Sequence, residues 1–127
     1  MTCPDFDPAQ LHDYAAVMPN KTVNDLAASF RKSVSELISE LTNPAHDLHR
    51  TKLAEQAHDL KGVAGSFGAL KLQHLAEQLE RCCREDMLSG VGPILADMPE
   101  AASRAFVGLQ AALDELAPSL SQACPAV

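Results

Sequence analysis

The chain has 127 residues, of which 46% are hydrophobic, 21% are charged and only 4% are aromatic. A chain of this size and composition buries enough apolar surface to fold as one domain without disulfides or metals. Its formal net charge of −7 argues against a general nucleic-acid binder and against docking on an anionic membrane, because both targets attract basic surfaces.

Prolines mark the ends of the predicted helices, because proline disrupts the interior of a helix. A short first helix is predicted between Pro8 and Met18. A second begins near Asn20 and ends at Pro44. The second helix has apolar residues at steps of one, three and four, which is the spacing of one helix face. These residues are Val23, Leu26, Ala27, Phe30, Val34, Leu37, Ile38 and Leu41.

A third and a fourth helix are predicted on either side of a glycine-rich turn. The third starts near His46 or Asp47 and ends around residues 65–68, and the fourth covers about 69–87. Both have one apolar face at helical spacing. The predicted buried residues are Leu53, Ala57, Leu60 and Ala64 on the third helix, and Leu72, Leu75, Ala76, Leu79 and Cys83 on the fourth.

A fifth helix is predicted after a turn at residues 89–92. It begins at Pro93, because proline suits the first position of a helix. Pro99 lies inside it, where we expect a kink or a short break. From Pro118 onwards we expect a loose tail. The apolar residues of this helix are Ile94, Leu95, Met98, Ala102, Phe106, Leu109, Leu113 and Leu116.

Four amphipathic helices and a short leader predict an all-α protein, an antiparallel four-helix bundle with a short N-terminal helix. We expect residues 1–127 to form a single domain with an ordered core of about 6–117 and loose tails. We also expect it to be a monomer.

The compartment is predicted from the cysteines and from the absence of targeting patterns. No apolar run is long enough to span a membrane, and no signal peptide is visible. The cysteines at 3, 82, 83 and 124 do not form a disulfide framework. Of the adjacent pair, we expect one cysteine to be buried and the other exposed. These observations indicate a reduced, cytoplasmic compartment.

Residues 57–68 depart from the pattern of a purely structural helix. Lys61, Gly62 and Gly65 follow His58 by three, four and seven residues, so all four lie on one side of the helix. A neutral imidazole can attack phosphorus and hold a phosphoryl group covalently. A cation one turn away can neutralise the phosphoryl oxygens, and missing side chains let another molecule approach. We therefore predict a partner-binding surface of these four residues.

Structural interpretations of the same residues stay open. A lone histidine on a helix is most often a plain surface residue, which is what we expect for His12, His46, His49 and His74. Gly65 and Gly68 could serve only to end the helix. His46 and His49 could bind a metal, but no further ligands follow at suitable spacing.

The sequence His-Asp-Leu-Lys-Gly at 58–62, followed by Gly68 ten residues after the histidine, resembles the signature of the histidine phosphotransfer (HPt) domains of bacterial phosphorelays. The specific motif is confined to residues 57–80, while the wider resemblance covers residues 6–116.

The resemblance implies a role for each matching residue. His58 is implied to be the phosphorylated histidine, through Nε2, and Lys61 to contact the phosphoryl group. Gly62 leaves room for the partner, and Gly68 is the turn glycine between the two central helices. Glu80 lies where family members have a Gln or Glu that holds the other imidazole nitrogen.

The function implied is that of a phosphorelay intermediate without kinase activity of its own. It accepts a phosphoryl group from a receiver-domain aspartate of a hybrid histidine kinase and passes it to the receiver of a response regulator. We expect no cofactor here, and Mg²⁺ only on the receiver, because the carboxylate cluster that Mg²⁺ needs is missing. Two alternatives stay open: a helical module that regulates a receiver without being phosphorylated, and a metal- or haem-binding bundle.

Overall fold

The computed structural model describes residues 5–42 and 50–123, and within these ranges it is helical with no strand. The helices are α1 (Ala9–Val17), α2 (Asn20–Thr42), α3 (Arg50–Ser66), α4 (Leu70–Arg84) and α5 (Val91–Ala123), with a 3-10 turn at Leu88–Gly90. α2 and α4 each contact both α3 and α5, so these four helices close into a bundle. The prediction of an all-α bundle with a short N-terminal helix is confirmed.

The core lies between the four long helices and is built from the faces that periodicity predicted. Every residue predicted to be buried on α3 and α4 is buried. On the other two helices, Val23, Ala27, Phe30, Val34, Ile38, Leu41, Met98, Ala102 and Leu109 are buried, while Leu26, Leu37, Ile94, Leu95, Phe106, Leu113 and Leu116 are partly buried and pack against them.

Residues 5–8 and α1 cover the end of the α3–α4 hairpin. The Asp7 amide donates a hydrogen bond to the Gly68 carbonyl at 2.8 Å, and the Tyr14 hydroxyl donates to the Ser66 carbonyl at 2.6 Å. Gly68 has a φ of +76°, and a side chain there would collide with the Asp7 carbonyl oxygen. This turn therefore needs glycine, and it directs α4 back along α3.

The boundaries of α4 and α5 differ from the prediction. α4 ends at Arg84 rather than near Met87, because Asp86 takes up the left-handed conformation with a φ of 60°. α5 begins at Val91, directly after the 3-10 turn and before Pro93.

The short break expected at Pro99 is absent. α5 runs through this residue, since Met98 and Ala101 beside it are buried in the core and packing holds the helix together. The helix also continues past Pro118 to Ala123. The expected start of α3 near residues 46–47 and the chain ends 1–4 and 124–127 lie outside the described residues.

The prediction that one of the two adjacent cysteines is exposed is wrong. Cys82 and Cys83 are both buried, with 9% and 1% of their surface exposed. Neighbouring residues point about 100° apart on a helix, and α4 packs against α3 on one side and α5 with the 3-10 turn on the other. Cys82 lies against that turn, with its Sγ 3.0 Å from the position of a Cβ on Gly90.

In the described ranges, no helix combines the length and the apolar character that crossing a membrane requires.

Candidate functional site

The predicted site lies on the outer side of the α3–α4 hairpin. Ala57 and Leu60 are fully buried and mark the inner face of α3. His58 is rotated about 100° from Ala57 around the helix, and 61% of its side chain is exposed. Lys61 follows one turn later and is 32% exposed. Because α4 packs along α3, it brings Glu80 next to both residues.

The Glu80 carboxylate contacts three basic side chains. Its Oε2 lies 3.2 Å from Nδ1 of His58, and its Oε1 lies 3.1 Å from Nζ of Lys61. Arg84, one turn further along α4, also reaches Oε2, with Nη2 at 3.0 Å and Nε at 3.1 Å. The structure thus brings together His58, Lys61 and Glu80, and it places Glu80 beside the imidazole, as the resemblance implied.

The surroundings of Glu80 fix its charge. Burial, which leaves only 12% of its side chain exposed, by itself raises the pKa of the carboxyl. Hydrogen bonds from Lys61 and Arg84, followed by the nearby charges of Lys61 and His58, outweigh burial and lower the pKa below its ordinary value. Glu80 is therefore a carboxylate at neutral pH.

The negative charge of Glu80 determines which tautomer of the neutral His58 imidazole fits this contact. A carboxylate only accepts hydrogen bonds, so Nδ1 of the imidazole is the protonated nitrogen and donates to Oε2. In the neutral ring the other nitrogen, Nε2, then holds an available lone pair. An imidazole in this form can act as a nucleophile through Nε2.

The two glycines of the predicted partner-binding surface differ in their surroundings. A Cβ on Gly62 would meet nothing within 4 Å, so this position is open to an approaching molecule. A Cβ on Gly65 would lie 3.0 Å from the Gln73 side-chain amide, so Gly65 lets α3 and α4 pack closely. Gly68 lies beyond both, in the turn between α3 and α4.

Arg84 is the member of the site that sequence reasoning missed. Its spacing of four residues from Glu80 is the signal that could have found it, since such pairs meet on a helix. The other predicted surface histidines that the structure describes, His12 and His74, are both exposed. His46 and His49 lie outside the described residues, and among the described ones no group of three or more His, Cys, Asp or Glu could hold a metal ion.

Comparison with known proteins gives a consistent result. A family model described as "Hpt domain" matches residues 25–119. The aerobic respiration control sensor protein ArcB of Escherichia coli (strain K12) is 27% identical over 95 residues, which are 75% of this chain and 12% of that protein. ArcB of Shigella flexneri matches to the same extent. The chain therefore spans only a small part of the length of these relatives.

A solved structure shares the fold. The crystal structure of histidine-containing phosphotransfer protein B (HptB) from Pseudomonas aeruginosa PAO1 superposes with a TM-score of 0.79 at 19% sequence identity. The match covers 90% of this chain and 98% of that one.

Proposed function

The chain belongs to the Hpt domain family, and from this premise we propose that it carries a phosphoryl group on His58 between two receiver domains. It accepts the group from a receiver aspartate of a hybrid histidine kinase and passes it to the receiver of a response regulator. The contact between Nδ1 of His58 and the Glu80 carboxylate, at 3.2 Å, supports this proposal most strongly, because it leaves the exposed Nε2 free to react.

In the transfer step, the Nε2 lone pair attacks the phosphorus of the receiver's aspartyl phosphate. The N–P bond forms as the P–O bond to the aspartate breaks, and the electron pair of that bond returns to the aspartate carboxylate. The proton on Nδ1 stays in place, so the ring becomes cationic. Glu80 stabilises this positive charge through the existing hydrogen bond.

The second transfer reverses these bonds on another receiver. An oxygen of its aspartate attacks the phosphorus, the N–P bond breaks, and the electron pair returns to Nε2. No proton and no electron is gained or lost by the chain, so it needs no cofactor of its own for this step. We expect Mg²⁺ only on the receiver, where it would neutralise the phosphoryl oxygens.

Gly62 and Lys61 complete the proposed site. The open space beside Gly62 admits the receiver backbone near His58, which a reaction between two proteins requires because the reacting atoms have to come within bonding distance. Lys61, one turn from His58, supplies a cation to the phosphoryl oxygens.

The test is incubation of the protein with a receiver carrying a radiolabelled phosphoryl group, without any kinase. We expect the label to move to this chain and to be lost in acid but kept in base, as a phosphoramidate on histidine is. A stable complex with the receiver that never takes up label would contradict the proposal and favour a phosphorylation-independent docking module.

A further inference from the structure

The carboxylate of Glu80 has two cationic partners, and they occupy different oxygens. Lys61 lies on Oε1 at 3.1 Å, whereas Arg84 lies on Oε2 at 3.0 Å, the oxygen that also accepts from His58. The carboxylate is only 12% exposed, so little water is available to replace a partner that leaves.

Phosphorylation of His58 creates a competing anion for Lys61. The phosphoryl group is attached to Nε2, on the far side of the ring from Nδ1 and therefore away from Glu80. The Lys61 ammonium has to leave Oε1, at least in part, to contact the phosphoryl oxygens. Its flexible stem and its 32% exposure permit this movement. The departure would leave Oε1 of a carboxylate that is only 12% exposed without its cation, so the groups on Oε2, the His58 ring and Arg84, would have to balance the charge of Glu80.

We propose that Arg84 makes this exchange possible. It is a positioning residue that keeps Glu80 charged, paired and directed at Nδ1, while Lys61 moves from Glu80 to the phosphoryl group. This inference rests on the proposed function, since the exchange needs phosphorylation of His58. Arg84 suits the task because its guanidinium donates through both Nε and Nη2 to the same oxygen, which fixes the carboxylate in one orientation.

The chain contains a matched control for Arg84. Arg81 is on the same helix and has nearly the same exposure, 57% against 60%. It pairs with Glu85 at 4.0 Å rather than with Glu80. Replacing either arginine by glutamine removes one exposed positive charge, but only Arg84→Gln removes a partner of Glu80.

The experiment is a double-mutant cycle on the single-turnover rate of phosphoryl transfer from a labelled receiver. Lys61→Ala is expected to slow transfer about tenfold in the wild-type background, as the loss of one charge-assisted hydrogen bond would. In the Arg84→Gln background the same change is expected to have little further effect, because Lys61 is already retained by Glu80. In the Arg81→Gln background it should again slow transfer about tenfold.

A merely structural role for Arg84 would give a different result. It would make the effects of Lys61→Ala and Arg84→Gln on the transfer rate multiply, whatever the unfolding midpoint of Arg84→Gln. The variant Arg84→Lys, which keeps the charge, is expected to restore part of the coupling. The inference would be overturned if Lys61→Ala slowed transfer as much in the Arg84→Gln background as in wild type. It would also be overturned if Arg81→Gln weakened the effect of Lys61→Ala as much as Arg84→Gln does. If wild-type protein takes up no label on His58, the proposed function itself fails, and with it the inference.

Discussion

Gly62 and Gly65 lie one turn apart on α3, yet a side chain at each would meet different surroundings. Gly62 has open space, so Gly62→Ala is expected to stabilise the protein by about 0.8–1 kcal/mol, the difference in helix propensity. The same methyl group would project where a receiver approaches, so transfer should become slower. The unfolding midpoint and the transfer rate of this one variant measure both effects.

The control for Gly62→Ala is Ser29→Ala, an exposed position on α2. This change also improves helix propensity but lies on another helix, so we expect a small gain in stability and an unchanged transfer rate. A lower midpoint for Gly62→Ala with unaltered transfer would show that this glycine serves packing instead.

Lys61 contributes more to transfer than to stability. Its ion pair with Glu80 is partly exposed, and such pairs contribute about 0–1 kcal/mol. Arg84 still pairs with Glu80 when Lys61 is replaced, so Lys61→Ala should change the unfolding free energy only slightly, while slowing single-turnover transfer. Lys52→Ala, which removes an exposed lysine from the same helix, is the control and should leave the rate unchanged. If the two variants transfer the phosphoryl group at equal rates, Lys61 has no specific role in transfer.

At the level of elements, the α3–α4 hairpin was predictable because its signals are local. The apolar spacing defined both buried faces, and Gly68 marked the turn. What escaped prediction depends on contacts between elements. Asp86 has no local feature that requires a left-handed conformation. The continuity of α5 through Pro99 depends on packing in the core.

The site was predictable to a similar extent. Helix spacing alone placed His58, Lys61 and Gly62 on one face. Glu80 entered only through the resemblance, because the relative rotation of two helices cannot be derived from one periodic pattern. The structure puts its Oε2 3.2 Å from Nδ1 of His58. Its role in orienting the imidazole is still a prediction.

The lowered pKa of Glu80 makes stability depend on pH. A carboxyl whose pKa is lower in the folded than in the unfolded state adds stability above the unfolded value, about pH 4.3. That contribution is lost as the pH falls through the folded value. The stability advantage of wild type over Glu80→Gln should therefore shrink as the pH is lowered from 7 through this range.

Unfolding midpoints across this pH range provide the measurement, with Glu85→Gln as the control. Glu85 is 59% exposed and its contact with Arg81 is 4.0 Å long, so its replacement should change the pH profile little. A difference between wild type and Glu80→Gln that stays constant with pH would show that the charge of Glu80 is not stabilised by its neighbours.

Over the whole molecule, charge is distributed unevenly. The sequences of α3 and α4 each contain three basic and two acidic residues, although the whole chain has a net charge of −7. The excess negative charge therefore lies on the rest of the chain. The hairpin that bears the site is its more basic part and suits a partner surface with carboxylates.

This charge distribution predicts whether added salt slows or speeds the association of the protein with a receiver whose phosphorylation site is acidic. If the α3–α4 hairpin makes the encounter, added salt should slow association by screening the attraction. If the net charge of −7 dominated, salt would speed association instead, because it would screen a repulsion. Association rates measured at two salt concentrations distinguish these cases, and faster binding in high salt would contradict docking through the hairpin.

The proposed phosphoryl group on His58 can be detected in the intact mass of the protein after incubation with a phosphorylated receiver. Wild type and His74→Gln, which lacks another exposed histidine, should each gain the mass of one phosphoryl group. His58→Gln should gain none and keep its unfolding free energy to within about 0.5 kcal/mol, as is usual at exposed positions. A phosphoryl group on His58→Gln, or its loss from His74→Gln alone, would contradict the assignment.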